Sequence, residues 1–158
     1  MPLVAITRMR LRSPRFLPAF FWHAMQTDRQ IRSAPGCLAS DTRRADDGAF
    51  WTRTVWEDAA AMRAFVGSGA HRRVMPKLSH WCDEASYTHW DQDGAALPTW
   101  EEAERRLTEQ GHRSRLRHPS SAHLTNSHPP CPPLSQAKEG GEGADQALLS
   151  LTREGQRA

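Results

Sequence analysis

In the stretch Phe65-Val66-Gly67-Ser68-Gly69-Ala70-His71, a lone histidine stands directly behind a glycine-rich break. A neutral imidazole can ligate a metal, and a position beside a glycine turn leaves room for a flat ligand. The plainer alternative is a helix-start His that caps backbone or faces water. Arg8, Arg10 and Arg53 form a second candidate set. If they share one side of a sheet they can hold a propionate or another carboxylate by paired hydrogen bonds. If not, they are solvated charges or ion pairs at a dimer rim. Trp22, Trp51, Trp56, Trp81 and Trp90, with Phe65, can line an aromatic pocket or serve as plain core and interface. Cys82 follows His80 by two positions, but side chains two apart on a helix do not face each other. A Cys–His nucleophile is therefore disfavoured. His112, His118, His123 and His128 lie in a polar stretch without ligand periodicity.

These residues are carried by one strand–helix–helix–strand unit between Phe50 and Trp90. Phe50–Trp56 is rich in β-branched and aromatic residues and predicts a strand. Glu57-Asp58 then place negative charge where a helix begins. Ala59, Met62, Phe65 and Val66 recur at helical spacing, and Gly67 and Gly69 close that helix. Arg72–Trp81 predicts a second helix with Val74, Leu78 and Trp81 on one face, kinked or split at Pro76. Ala85–Trp90 predicts the last strand. Upstream, Leu3–Leu11 reads as a strand, and Ser13-Pro14 starts a helix running to about Arg32, where Pro35-Gly36 stop it. Cys37–Arg44 and the turn Ala45-Asp46-Asp47-Gly48 lead by a hairpin into the Phe50–Trp56 strand.

The resulting order, β-α-β-β-α-(α)-β, is the split βαβ of a ferredoxin-like α+β fold with a four-stranded antiparallel sheet. We assign this domain to residues 2–92 and an appended helix to 97–110, with Trp100, Ala103 and Leu107 able to lie on the domain. Residues 111–158 read as linker or disordered tail, from their Pro and Gly runs and the lack of aromatics. All six Trp, all five Phe and the single Tyr fall between Phe16 and Trp100, so the tail has no core of its own. Large aromatics on alternate positions of Phe50–Trp56 mean both faces of the sheet need covering, which predicts a homodimer through the sheet.

Charge narrows the partners. The 158 residues carry a net charge of +3, with thirteen Lys/Arg against nine Asp/Glu in residues 1–91. That balance lacks the dense basic face of a nucleic-acid binder, so no nucleic-acid partner is expected. Three widely spaced cysteines give neither a disulfide framework nor zinc-ligand spacing, which suits a reduced, cytoplasmic setting. Arg8, Arg10, Arg12 and Arg15 precede the apolar Phe16–Met25, but Pro18, Trp22 and His23 interrupt it as a signal peptide. No stretch approaches the roughly 18 apolar residues of a membrane span.

The residues Phe50-Trp51-Thr52, Val55-Trp56-Glu57, Ala61-Met62-Arg63-Ala64-Phe65 and Gly69-Ala70-His71-Arg72 resemble a known group. It is the dimeric α/β-barrel superfamily of antibiotic-biosynthesis-monooxygenase-like proteins. Within it, the chain is most similar to the bacterial family named domain of unknown function 3291, a relative of spheroidene monooxygenase. Leu97-Pro98-Thr99-Trp100-Glu101-Glu102-Ala103 and Pro119-Ser120 extend the resemblance, which covers roughly residues 2–120. It implies a homodimer with a pocket between sheet and helices in each subunit. It also implies a family context of cofactor-free oxygenases, haem-degrading enzymes and haem enzymes with an axial His. The haem-degrading branch uses an Asn on the first strand, a Trp late on the second helix and a His about ten residues beyond. Here the first strand has no Asn, and Phe65 and Met75 stand at the other two places, which counts against haem degradation. The spheroidene monooxygenase branch is more similar through Phe65…Gly69-Ala70-His71 and makes His71 the haem-ligand candidate, with Arg8 and Arg53 beside it. The resemblance thus implies a monooxygenase-like oxidoreductase acting on a bulky apolar small molecule, with or without haem. The other class of reading is a non-catalytic dimeric barrel that binds a small hydrophobic ligand. Neither has a diagnostic catalytic motif in the chain.

Overall fold

The computed structural model describes residues 1–125, and the Pro-rich and Gly-rich stretches and the Ala147–Leu151 segment lie outside them. Strand β1 (Leu3–Leu11) leads to a short 3-10 turn, Pro14–Phe16, and into helix α1 (Leu17–Arg32). The Ser13 hydroxyl accepts from the Arg15 amide at the start, and Pro18 sits in the first turn of α1, where a missing amide costs little. β2 (Cys37–Arg44) and β3 (Phe50–Trp56) form the expected hairpin. Its turn is closed by the Ala45 amide on the Ala49 carbonyl and by the Ala49 amide on the Asp47 carboxylate, 2.8 and 2.9 Å.

Helix α2 (Ala59–Val66) is capped by Asp58, whose carboxylate accepts from the Ala61 amide at 2.8 Å. Helix α3 (Gly69–Trp81) follows after a two-residue turn. It begins earlier than the sequence predicts and runs unbroken through Pro76. Pro76 is exposed, so its ring and the unpaired carbonyl one turn back can face water rather than a packed neighbour. Gly69 has a left-handed φ of 55°, and a Cβ there would press on the Gln30 side chain. That side chain ties the junction together. Its amide donates to the carbonyls of Phe65 and Ser68, and its oxygen accepts from the His71 amide at 2.9 Å.

β4 (Cys82–Asp91) starts directly after α3 and is longer at both ends than expected. These four strands form an antiparallel sheet in the order β2-β3-β1-β4, the ferredoxin-like arrangement. Helix α4 (Trp100–Gln110) is capped by the Thr99 hydroxyl on the Glu102 amide. A short β5 (His112–Arg113) and helix α5 (Ser121–Thr125) then dock on β4. This corrects the boundary at residue 111. The Ser114, Arg117 and Ser120 amides bond to the carbonyls of Ala85, Ser79 and Asp83, each at 2.9 Å, so residues 112–125 are built onto the domain. Composition alone could not show this, because the docking uses backbone groups that every residue carries.

The core is split by the sheet. On one face Leu3 and Trp56 pack with Ile31 of α1 and with Met62, Phe65 and Val66 of α2. On the other, Val4, Ile6, Trp51 and Val55 are covered by Ala103 and Leu107 of α4. The cover that the aromatics of β3 demand is therefore supplied on this face by the chain's own helix. No helix among the described residues is long and apolar enough to cross a membrane.

Candidate functional site

Alternation along the strands decides which side chains can meet. Thr7 of β1 lies between Thr52 and Tyr87, and Ala5 between Thr54 and His89. All share the face of Leu3 and Trp56, beneath α1 and α3. Beyond the apolar cluster around Trp56, this face therefore turns polar, with Thr7 and Thr52 hydrogen-bonded through their hydroxyls. Above it α1 and α3 are antiparallel neighbours, joined by Gln30 with His71 at one end and by His23 with Trp81 at the other, ring centroids 5.8 Å apart. A row of half-buried residues, Thr27, Met75 and Leu78 among them, lines the two helices between these ends. Two helices over a hydroxyl-bearing sheet, with half-buried residues between them, are the candidate place for a small, largely apolar ligand.

His71 is the chemical centre of this cleft. Its ring packs on Phe65 at 5.0 Å, and Phe65 on Trp56 at 5.0 Å. Burial holds the imidazole pKa down to about 4, and a hydrogen bond to the Val66 carbonyl opposes that only in part. The ring is neutral at pH 7. Its Nδ1 is enclosed and has no hydrogen-bond partner among the described residues, and the same is true of His23 Nδ1. Buried nitrogens left unpaired point to a bound water or ligand group. Burial, then Lys77 and Arg73, also lowers the pKa of His23. Cys82 is no nucleophile: it is buried, and its thiol is pushed up to about 12 by desolvation and by Asp83.

The other expected site residues divide. Phe65, Trp56 and His71 do come together. Arg8, Arg53 and Trp51 lie across the sheet, on the face covered by α4, because positions 8, 51 and 53 have the opposite parity to Thr7 and Thr52. Arg8 is held between Asp47 and Glu84 at 2.6 Å each, and Arg53 is paired with Asp41 at 2.7 Å while stacking on Trp100. Trp22 points outward and is 61% exposed. A haem ligated by His71 would thus find neither Arg8 nor Arg53 for its propionates. His71 has the neutral nitrogen that iron requires, but the anionic edge of the porphyrin has no assigned partner, and the residues do not fit the group as a set. Among the described residues no cluster of His, Cys, Asp and Glu could hold a metal ion either. Thr7, Thr52, Tyr87 and His23 were not legible as site residues, since their common face emerges only once the strand register and helix pairing are known.

The family model described as "Domain of unknown function (DUF3291)" matches residues 15–117, from the start of α1 to the segment that docks on α3. The chain belongs to the DUF3291 family. Among the curated proteins, none matches this DUF3291 sequence. Solved structures share its fold at low identity. A structure described as antibiotic biosynthesis monooxygenase has a TM-score of 0.52 at 19% identity, covering 58% of this chain and 99% of its own. Rv0793 from Mycobacterium tuberculosis has a TM-score of 0.52 at 18% identity, covering 61% and 99%. A variant of SnoaB, a cofactor-independent oxygenase from Streptomyces nogalater, has a TM-score of 0.50 at 15% identity, covering 62% and 98%. This DUF3291 protein therefore has the α+β, ferredoxin-like fold of the antibiotic-biosynthesis-monooxygenase group, and at these identities the likeness is one of fold.

Proposed function

We propose that the cleft between α1, α3 and the sheet binds a flat, bulky, apolar small molecule bearing a hydroxyl, and that the protein is a monooxygenase-like oxidoreductase working on it without haem. The observation that carries this reading is His71: a neutral imidazole with an unpaired, enclosed Nδ1, set against the Phe65–Trp56 aromatic wall. Phe65, packed between His71 and the buried Trp56, offers an aromatic contact beside the imidazole for a flat ring system. The imidazole suits a hydroxyl that needs an acceptor, since satisfying a buried unpaired group contributes about 1–3 kcal/mol. The fold shared with antibiotic-biosynthesis-monooxygenase structures supports oxygenation as the reaction class of this proposal. In cofactor-free oxygenation the oxidant is O2 and the electrons come from the substrate, so the protein's task is to orient the substrate and exclude water.

A second reading is favoured by one specific observation. An imidazole whose pKa is about 4 is a weak base, and Cys82 is an inert thiol. With neither a strong base nor a nucleophile, the cleft also fits a non-catalytic ligand-binding barrel. Oxygen uptake separates the two. The purified protein is mixed with 9-hydroxyphenanthrene in an oxygen electrode, with His71→Phe as control. Catalysed uptake that is lost in His71→Phe supports the oxidoreductase reading, and saturable binding without uptake supports the binding protein.

A further inference from the structure

At the far end of α3 from the glycine turn, basic groups gather from three segments that are distant in sequence. Arg12 directly follows β1, and its Nε donates to the His80 carbonyl at 2.8 Å while its Nη2 lies 3.4 Å from His80 Nε2. Arg12 and Arg15 each place a guanidinium 4.7 Å from the Phe16 ring, which itself rests against His80 and stacks on Trp81. The segment after β5 completes the group. The Arg117 amide bonds to the Ser79 carbonyl at 2.9 Å, and the His118 ring stands 5.3 Å from that of His80.

Among the described residues no carboxylate is paired with this cluster. Arg8, Arg10, Arg43 and Arg53 on the sheet all have acidic partners, whereas Arg12, Arg15 and Arg117 have none among the described residues. The sequence shows the same bias: 59–82 holds Arg63, Arg72, Arg73 and Lys77 with no Asp or Glu, and 111–125 holds Arg113, Arg115 and Arg117 with none. His80 registers the field directly, its pKa lowered by partial desolvation and then by Arg12, His118, Arg117 and Arg15. A helix C-terminus accounts for one cation, here Arg12 on the His80 carbonyl. It does not account for Arg15, Arg117 and two imidazoles at the same end, where the arginines have no acidic partner among the described residues.

We propose that Arg12, Arg15, His80, Arg117 and His118 form an anion site for a small diphosphate-bearing molecule. A carboxylate is satisfied by a single guanidinium fork, whereas a tetrahedral polyanion takes several donors at once. Phe16 holds two of the forks in place, so less conformational freedom is lost on binding. The site adjoins the His23–Trp81 end of the helix pair through Trp81 and requires no reaction there.

Titration calorimetry with inorganic pyrophosphate at about 50 mM NaCl tests this, at a salt level where screening is modest. The full chain should give one saturable site, and pyrophosphate should move the ring resonances of His80 and His118 but not that of His71. Arg15→Gln with Arg117→Gln, whose side chains make no hydrogen bond to the fold, should weaken binding about tenfold, equivalent to 1.4 kcal/mol. Arg29→Gln with Arg72→Gln removes the same charge from exposed positions elsewhere and should leave the affinity within about twofold. Equal weakening in both double variants would reduce the effect to bulk charge and overturn the site. So would the absence of saturable binding by a wild-type protein with an unaltered circular dichroism spectrum.

Discussion

Lowering the pH from 7 to 5 should cost the folded protein about 2 kcal/mol through His71 alone. The imidazole titrates near 6.5 in an unfolded chain and near 4 in the fold. Between those values the unfolded state binds more protons, so stability rises with pH. The contribution is therefore complete above about pH 6.5, falls as the pH drops through the window, and is fully lost by about pH 4. The whole gap corresponds to roughly 3 kcal/mol, of which about two thirds is spent by pH 5, a large share of a typical 5–15 kcal/mol. Urea unfolding at pH 7, 6 and 5 of the wild type and of His71→Phe reads this directly. The variant keeps a ring beside Phe65 but cannot titrate, so its stability should fall by about 2 kcal/mol less over the same range. His23, also lowered, is present in both proteins and cancels. Identical slopes in the two proteins, or a His71 resonance titrating near 6.5, would refute the buried, neutral imidazole.

Leu107 is 5% exposed beneath Ile6, Trp51 and Val55, and Leu107→Ala should destabilise by about 2–3 kcal/mol in urea; a loss under about 0.5 would mean that α4 does not close the second sheet face. A chain ending at Thr125 should match the full chain in thermal midpoint, whereas one ending at Gly111 loses the backbone bonds of Ser114, Arg117 and Ser120 to the domain and should melt several degrees lower. A homodimer remains the expected assembly, and light scattering at micromolar concentration should give twice 17.8 kDa; a particle of 17.8 kDa would contradict it. Any dimer through the sheet must bury α4 with it, since Ala103 and Leu107 already occupy that face.

Local chemistry made most of the fold legible. Ser13-Pro14, Asp58 and Pro35-Gly36 mark element ends by backbone rules that act within a few residues, and the elements they bound stand where expected. Of the two readings for Pro76, the split is excluded: the helix continues through it, because a proline ends a helix only where its surroundings cannot absorb the freed carbonyl, and exposure depends on the tertiary fold. The site was half legible. His71 and Phe65 are six residues apart and meet across one turn, so spacing found them. Arg8 and Arg53 failed as their companions through strand parity: a single position separates Arg8 from Thr7, and that step crosses the sheet. The docking of residues 112–125 was illegible, since it runs through main-chain amides.

Binding of a flat phenol is the most direct test of the cleft. Tryptophan fluorescence titrated with 9-hydroxyphenanthrene should show saturable quenching through half-buried Trp81 at the end of α3. His71→Phe should weaken it about tenfold by removing the acceptor, while Arg8→Gln, across the sheet, should leave it unchanged. Binding unaffected by His71→Phe, or lost in a folded Arg8→Gln protein, would contradict the assignment of this cleft.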